Sequence, residues 1–206
     1  MTVSKQKYGE QLIKILNGGN YTHDSKITLR QAMLAISQSR DKLVRDYLWN
    51  TRGGLDDFQY AGLLNPYTLT TKFDSVREKA YVSLPARPLW LPNNEGIFQV
   101  HFPQDEINSF IPVSNASMQI YGVLDSGYLE GNIGYYPERD RIIFYGLEDK
   151  DVEVIVKIIA SAEDIGDLDF FPVPPDLENE MLQLAIQMLG VQKQQPQDTL
   201  NDNADA

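Results

Sequence analysis

The chain has 206 residues, 42% of them hydrophobic and none of them cysteine. It can therefore bury a core, and it uses neither disulfides nor thiolates, which fits a reducing compartment. Apolar runs stop short of the ~18 residues of a membrane span and the opening MTVSKQKYGE lacks a leader core, so no membrane is expected. A net charge of -11 excludes a simple basic nucleic-acid-binding module.

Tyr8, Leu12, Ile15 and Leu16 recur at helical spacing, and Gly18-Gly19 ends that pattern, so a short helix is expected over about 8–17. A polar connector, Asn20 to Lys26, follows. Thr28 with Gln31 three residues on has the form of a capping box, opening a long helix over about 28–49. Leu29, Ala32, Met33, Ile36, Leu43, Val44 and Tyr47 share one stripe of it. Arg40 falls in the middle of that stripe. Two readings stay open: a snorkelling arginine, or a guanidinium paired across a packed contact.

Asn50 to Asp74 is rich in apolar side chains, Leu55, Phe58, Tyr60, Leu63, Leu64 and Tyr67 among them, yet has no sustained period. It reads as a long structured loop, with at most a short strand, that packs or docks on something.

From Val76 to about Ala160 the period changes to two. Ala80, Val82 and Leu84 alternate with Lys79, Tyr81 and Ser83, while Pro85 and Pro88 argue against a central strand beyond that point. Ile97–Phe102, Ile107–Val113 and Met118–Val123 are further strand candidates. Leu129 to Tyr136, the turn residues 137–140 and Arg141–Tyr145 form a predicted hairpin closed by Gly146. Val152, Val154, Val156 and Ile158 then predict a strand that continues the meander.

Ala162 to Asp169 is an acidic connector, and Phe170–Pro175 is held extended by its prolines. Asp176 is placed to cap a helix over 177–189 that Gly190 closes. Its apolar arc spans roughly 180°, more than one packing partner needs. Either it sits between two elements of its own chain, or part of the arc meets another subunit. Residues 192–206, acidic and almost without apolar side chains, are expected to be disordered.

The fold expected is thus α+β: a central antiparallel β unit, sandwich or partly open barrel, flanked by an N-terminal helical part and a C-terminal helix. Residues 1–191 are expected to make a single domain.

Catalytic signatures are missing. His23 and His101 have no motif around them, and His101, in a strand pattern, is read as structural. HExxH, cysteine-cluster and EF-hand spacings are absent, as are a nucleophile elbow and a phosphate-cradling glycine loop. Asp56-Asp57 and the Asp149/Asp151 pair read as solvated turn residues. No catalytic, metal or cofactor site is assigned, no cofactor is expected, and nothing in the sequence supports an enzyme.

Several segments together resemble one family: Ile27-Thr28-Leu29-Arg30-Gln31 opening the long helix, Tyr81 to Pro88 (YVSLPARP), and Leu129 to Tyr136 (LEGNIGYY). Ile165-Gly166 and the run from Phe171 to Asp176 (FPVPPD) with its closing helix belong to the same pattern. They are similar to neck, or head-to-tail ring, proteins of crAss-like tailed bacteriophages, over about Ile27 to Gly190. The shared motifs are packing and turn motifs, not chemical ones. The resemblance implies a non-enzymatic virion component made in the host bacterial cytoplasm. It would be a homo-oligomeric ring, twelve-fold like the portal, connecting capsid to tail and bracing the DNA channel. Partners implied are other copies of itself, the portal protein, other neck and tail rings, and double-stranded DNA that passes without specific binding.

A ring subunit needs two lateral faces that fit each other heterologously. Arg40, Leu55, Phe58, Tyr60, Leu182, Ile186 and Leu189 are the candidates for them. Three other classes stand beside this one. A carbohydrate- or peptide-binding β module would use the tyrosines of GYLEGNIGYY with Tyr121 and Tyr145. A tail or capsid accessory protein would share the fold. A hydrolase would need an enclosed histidine beside a carboxylate.

Overall fold

The structure is a computed structural model that describes residues 3–18, 27–50, 62–91, 96–114, 132–147 and 151–194. Contacts cluster in two compact units where one domain over 1–191 is expected. Helices from both ends of the chain share one unit (Met1–Gly53 with Ile165–Ala206), and the β region fills the other (Gly54–Asp164). The whole is α+β, with helices before and after a central β region.

In the helical unit α1 spans Lys5–Leu16 and α2 spans Leu29–Asn50. Helix α1 starts three residues earlier than its apolar spacing suggests, because the Ser4 side chain accepts from the Lys7 amide and caps it. The capping box of α2 is formed in both directions. The Gln31 amide donates to Thr28 Oγ1 at 3.3 Å, and the Thr28 amide donates to Gln31 Oε1 at 2.9 Å. The two helices pack closely at Gly9, where a Cβ would meet Met33 Cγ at 2.9 Å.

A 3₁₀ turn, Pro175–Leu177, leads into α3 (Glu178–Gln194), which packs on α2 and α1. Asp176 lies inside that turn and does not cap the helix; its N-cap, Pro174, supplies no side-chain bond. Proline fixes φ near the helical value, so the chain enters a turn before Asp176 could take a cap conformation. Nor does Gly190 end the helix, which runs on to Gln194. The strand-like segment before it is tied to the amino end: Phe171 N donates to Val3 O at 3.0 Å and Gln6 N to Asp167 O at 3.0 Å. Lys5, buried, donates to Ile165 O at 2.6 Å and pairs with Asp167 at 3.0 Å.

The β unit holds, among its described residues, β1 (Leu64–Thr70), β2 (Lys72–Asp74), β3 (Lys79–Ser83), β4 (Ile97–His101), β5 (Ile111–Pro112), β6 (Gly134–Glu138), β7 (Arg141–Tyr145) and β8 (Glu153–Ile159). They form a three-stranded sheet, β1-β8-β4, and a five-stranded one, β2-β3-β7-β6-β5. Every pair is antiparallel except β5 with β6, which is parallel.

The sheets share chain at two places. Strands β1 and β2 are one extended run that passes from sheet to sheet at Thr71. Its buried hydroxyl accepts from Val152 N at 2.9 Å, so the bend leaves that amide satisfied. On the other side Phe110 N donates to Val100 O in β4, and Ile111 N donates to Ile133 O just before β6. This is the connectivity of a partly open barrel. Ala80, Val82, Val100, Ile142, Val154, Val156 and Ile158 are fully enclosed in it.

Several expectations for this region need correction. Strand β8 is not the next strand of a meander after β7. It lies in the other sheet between β1 and β4, although its inward set Val154, Val156 and Ile158 is as the alternation predicts. And Leu64–Asp74 is strand rather than loop. Tyr67 and Leu69 face inward at period two, but Asn65-Pro66 interrupts the signal, which an edge strand tolerates. Val76 lies in a turn, and only Ile111–Pro112 of the 107–113 candidate is strand. The hairpin β6–β7 turns on two residues, with Arg139 at φ 54°, so Pro137 and Glu138 belong to the strand.

Candidate interaction surfaces

The test for catalysis begins with His101, buried in β4 with Nδ1 2.8 Å from the Phe102 carbonyl. That contact places the proton on Nδ1, and Nε2 meets no hydrogen-bond partner among the described residues. The carboxylates of Asp105 and Glu106 are near enough to interact with it electrostatically. Among the described residues no group of His, Asp and Glu is arranged to hold a metal ion. His23, Asp56, Asp57 and Asp149 lie outside the described residues.

A concavity of about 650 Å³ lies over the three-stranded sheet and is lined by Leu64, Pro66, Phe98, Ser109 and the polar trio Gln99, Glu106 and Lys157. The Lys157 ammonium donates to Gln99 Oε1 at 2.9 Å and forms an ion pair with Glu106. Its charge is therefore already matched, and Glu106 is held below the usual carboxylate range by that hydrogen bond.

Of the interface candidates, Arg40, Leu182 and Leu189 are internal to the helical unit, with relative exposures of 0%, 7% and 4%. Arg40 Nε donates to the Pro172 carbonyl at 3.1 Å, and Nη1 pairs with Asp41 at 2.8 Å. Burial lowers the guanidinium pKa, with Asp41 opposing the shift. The arginine is thus paired across a packed contact and does not snorkel. Leu182 and Leu189 are covered because α3 has both α1 and α2 as neighbours, so two partners in its own unit account for most of the wide arc. Ile186 remains half-exposed. Leu55, Phe58 and Tyr60 lie outside the described residues, as does Tyr121.

Of the described tyrosines offered for a stacking platform, Tyr136 and Tyr145 lie on one face of the five-stranded sheet and Tyr135 on the other. Tyr135 points inward, 4% exposed, its phenol pushed up to about 12 by burial. Tyr136 and Tyr145 are half-buried.

The most exposed apolar side chains among the described residues lie in turns where the period of two predicts strand. Ile107 is 93% exposed and Val76 91%, each at the tip of a turn built on an aspartate. Asp74 Oδ1 accepts from the amides of Val76 and Arg77 at 3.0 and 3.2 Å. Asp105 accepts from the amide of Asn108 at 3.1 Å and from its side chain at 2.9 Å. Leu168, 78% exposed, occupies a similar turn in the helical unit, where Asp169 N donates to Gly166 O. The signal that could have found the first two is an aspartate two residues before an isolated β-branched side chain in a polar turn, Asp74-x-Val76 and Asp105-x-Ile107. Such a turn presents its apolar tip already ordered, so a partner that covers it gains roughly 1.5–3 kcal/mol per side chain with little entropy lost.

No protein-family model matches the chain, and no curated protein matches it.

Proposed function

We propose that this chain is a non-enzymatic structural subunit of a tailed-phage virion. It forms a ring in the neck, between portal and tail, around the channel that the genome crosses. The resemblance of Ile27-Thr28-Leu29-Arg30-Gln31, YVSLPARP, LEGNIGYY and FPVPPD to neck proteins supports that placement. The observation that carries an assembly role is the set of fully exposed aliphatic tips, Ile107 and Val76 above all, on hydrogen-bonded turns. An ordered apolar knob gains energy when a partner covers it. Ring formation would use them heterologously, with the partner subunits, the portal and adjoining rings covering them. Gold-labelled antibody against this chain, applied to particles of the phage that encodes it, should mark the head–tail junction. Label on tail fibres or capsid faces, or none on the particle, would overturn the placement.

A second reading rests on the concavity over the three-stranded sheet, whose apolar walls and Gln99–Lys157–Glu106 floor could take a small polar ligand. It requires saturable binding of a sugar or peptide that Phe98→Ala abolishes.

A further inference from the structure

The outer face of the five-stranded sheet differs in charge from the chain that carries it. Strand register places Lys72, Tyr81, Ile143 and Tyr136 in one row across β2, β3, β7 and β6. A second row holds Ser83, Arg141 and Glu138, and Asp74 lies opposite Lys79. Arg77 reaches in from the β2–β3 turn and bonds Glu138 at 2.6 Å. Asp140, from the β6–β7 turn, pairs with Arg141 at 3.9 Å, so Lys72, Arg77, Lys79 and Arg141 meet three carboxylates on this face, while the whole chain carries -11. The remaining surface is correspondingly more acidic.

The side chains form an organised surface. The Lys79 ammonium lies 3.8 Å from the centroid of the Tyr145 ring, and the Arg141 guanidinium 5.3 Å from that of Tyr81. Ile143, with 6% exposure, floors a shallow depression between them. Lys79 is half-buried, which lowers its pKa, and among the described residues it has no carboxylate partner. Tyrosine and arginine around an apolar floor, with an ammonium awaiting a carboxylate, is the composition of a protein-binding patch. Single-stranded nucleic acid would need free ring faces for stacking, and here cations already cover two of them. A duplex would approach against the field of an acidic protein.

We propose that this face docks an acidic surface of a second copy of the same chain and so forms one side of the subunit–subunit contact. The inference rests on the ring reading and names its interface. Positive face against acidic surface is a heterologous contact, since one patch meets a different one on its neighbour. Opposite charges fix register and reject wrong docking, with Lys79 and Arg141 as the central groups.

The test compares two double variants of equal net charge by sedimentation over a concentration series. Lys79→Glu with Arg141→Glu should raise the concentration for half-assembly at least about tenfold. Arg30→Glu with Lys42→Glu, on exposed positions of α2, should shift it by less than about threefold, which removes general repulsion as a cause. An independent readout uses the unaltered protein. Zero-length carbodiimide coupling of a mixture of isotopically light and heavy copies should join Lys79 to a carboxylate of the other copy. Equal behaviour of the two variants, with no such cross-link, overturns the proposal and leaves the ring intact. Loss of duplex-DNA binding in the first variant with unchanged assembly overturns it in favour of a nucleic-acid face. Failure of the unaltered protein to self-associate at any concentration overturns both.

Discussion

Arg40, in the middle of α2, donates Nε–H to the carbonyl of Pro172, 132 positions later, at 3.1 Å, with the arginine side chain wholly enclosed. The bond fixes the proline-bound entry to the last helix against the helix on which that element packs. Removing one partner of a buried charged contact costs about 3–5 kcal/mol, because the other is left desolvated and unmatched. Arg40→Met should therefore lower unfolding free energy in denaturant titration by about 3 kcal/mol. Arg40→Lys should recover little of it, since a single ammonium cannot span both the carbonyl and Asp41. Unchanged stability of the Met variant would show that the pairing contributes nothing.

The Thr28–Gln31 box gives a milder test. Thr28→Ala removes the oxygen that accepts from the Gln31 amide and should cost about 1 kcal/mol, while Thr28→Ser should be nearly neutral. Circular dichroism melts of the two variants decide it, and equal losses would argue against the cap.

Tyr8 donates its hydroxyl to Glu178 Oε1 at 2.8 Å, joining α1 to the start of α3. Burial, then the hydrogen bond and charge of Glu178, raise its pKa above the ordinary 10.0. The folded state therefore holds this proton more tightly than the unfolded state. The associated stability is complete below about pH 10 and is lost as pH rises beyond it. Tyr135, pushed up to about 12, adds to the same alkaline loss. Tyr8→Phe should be less stable at neutral pH by about 1 kcal/mol yet fall less steeply above pH 10. Parallel alkaline melting curves would contradict this.

Leu182 and Ile186 separate packing from assembly. Leu182→Ser should cost about 2–4 kcal/mol in the subunit itself, because it opens a cavity between α3 and its neighbours. Half-exposed Ile186→Ser should cost under about 1 kcal/mol, so any assembly defect it causes is a contact effect. Equal thermal stability for both would mean that α3 is an ordinary surface helix.

Local signals were legible in the sequence. The α2 stripe, the capping box, the β6–β7 hairpin and the inward set of β8 are all written within a few residues, where period and cap chemistry decide the outcome. What was not legible is non-local. Nothing in Val152–Ile158 says which strand lies beside it, because alternation fixes a face and not a neighbour. The same limit left open whether the wide arc of α3 meets a second element of its own chain or another subunit; two helices of its own unit largely cover it. Pro66 breaks the alternation of β1, and the Ser4 cap precedes the apolar pattern of α1. The exposed tips Val76 and Ile107 carry a readable aspartate signal, but single apolar residues in polar turns ordinarily pass as noise.

A ring subunit is tested most directly by its mass in solution together with its rotational symmetry. Native mass spectrometry of the purified chain, with negative-stain images of the same sample, should show one closed oligomer near twelve times the 23.4 kDa chain mass, annular in projection. A 23.4 kDa monomer at every concentration, alone and with portal protein, would contradict it.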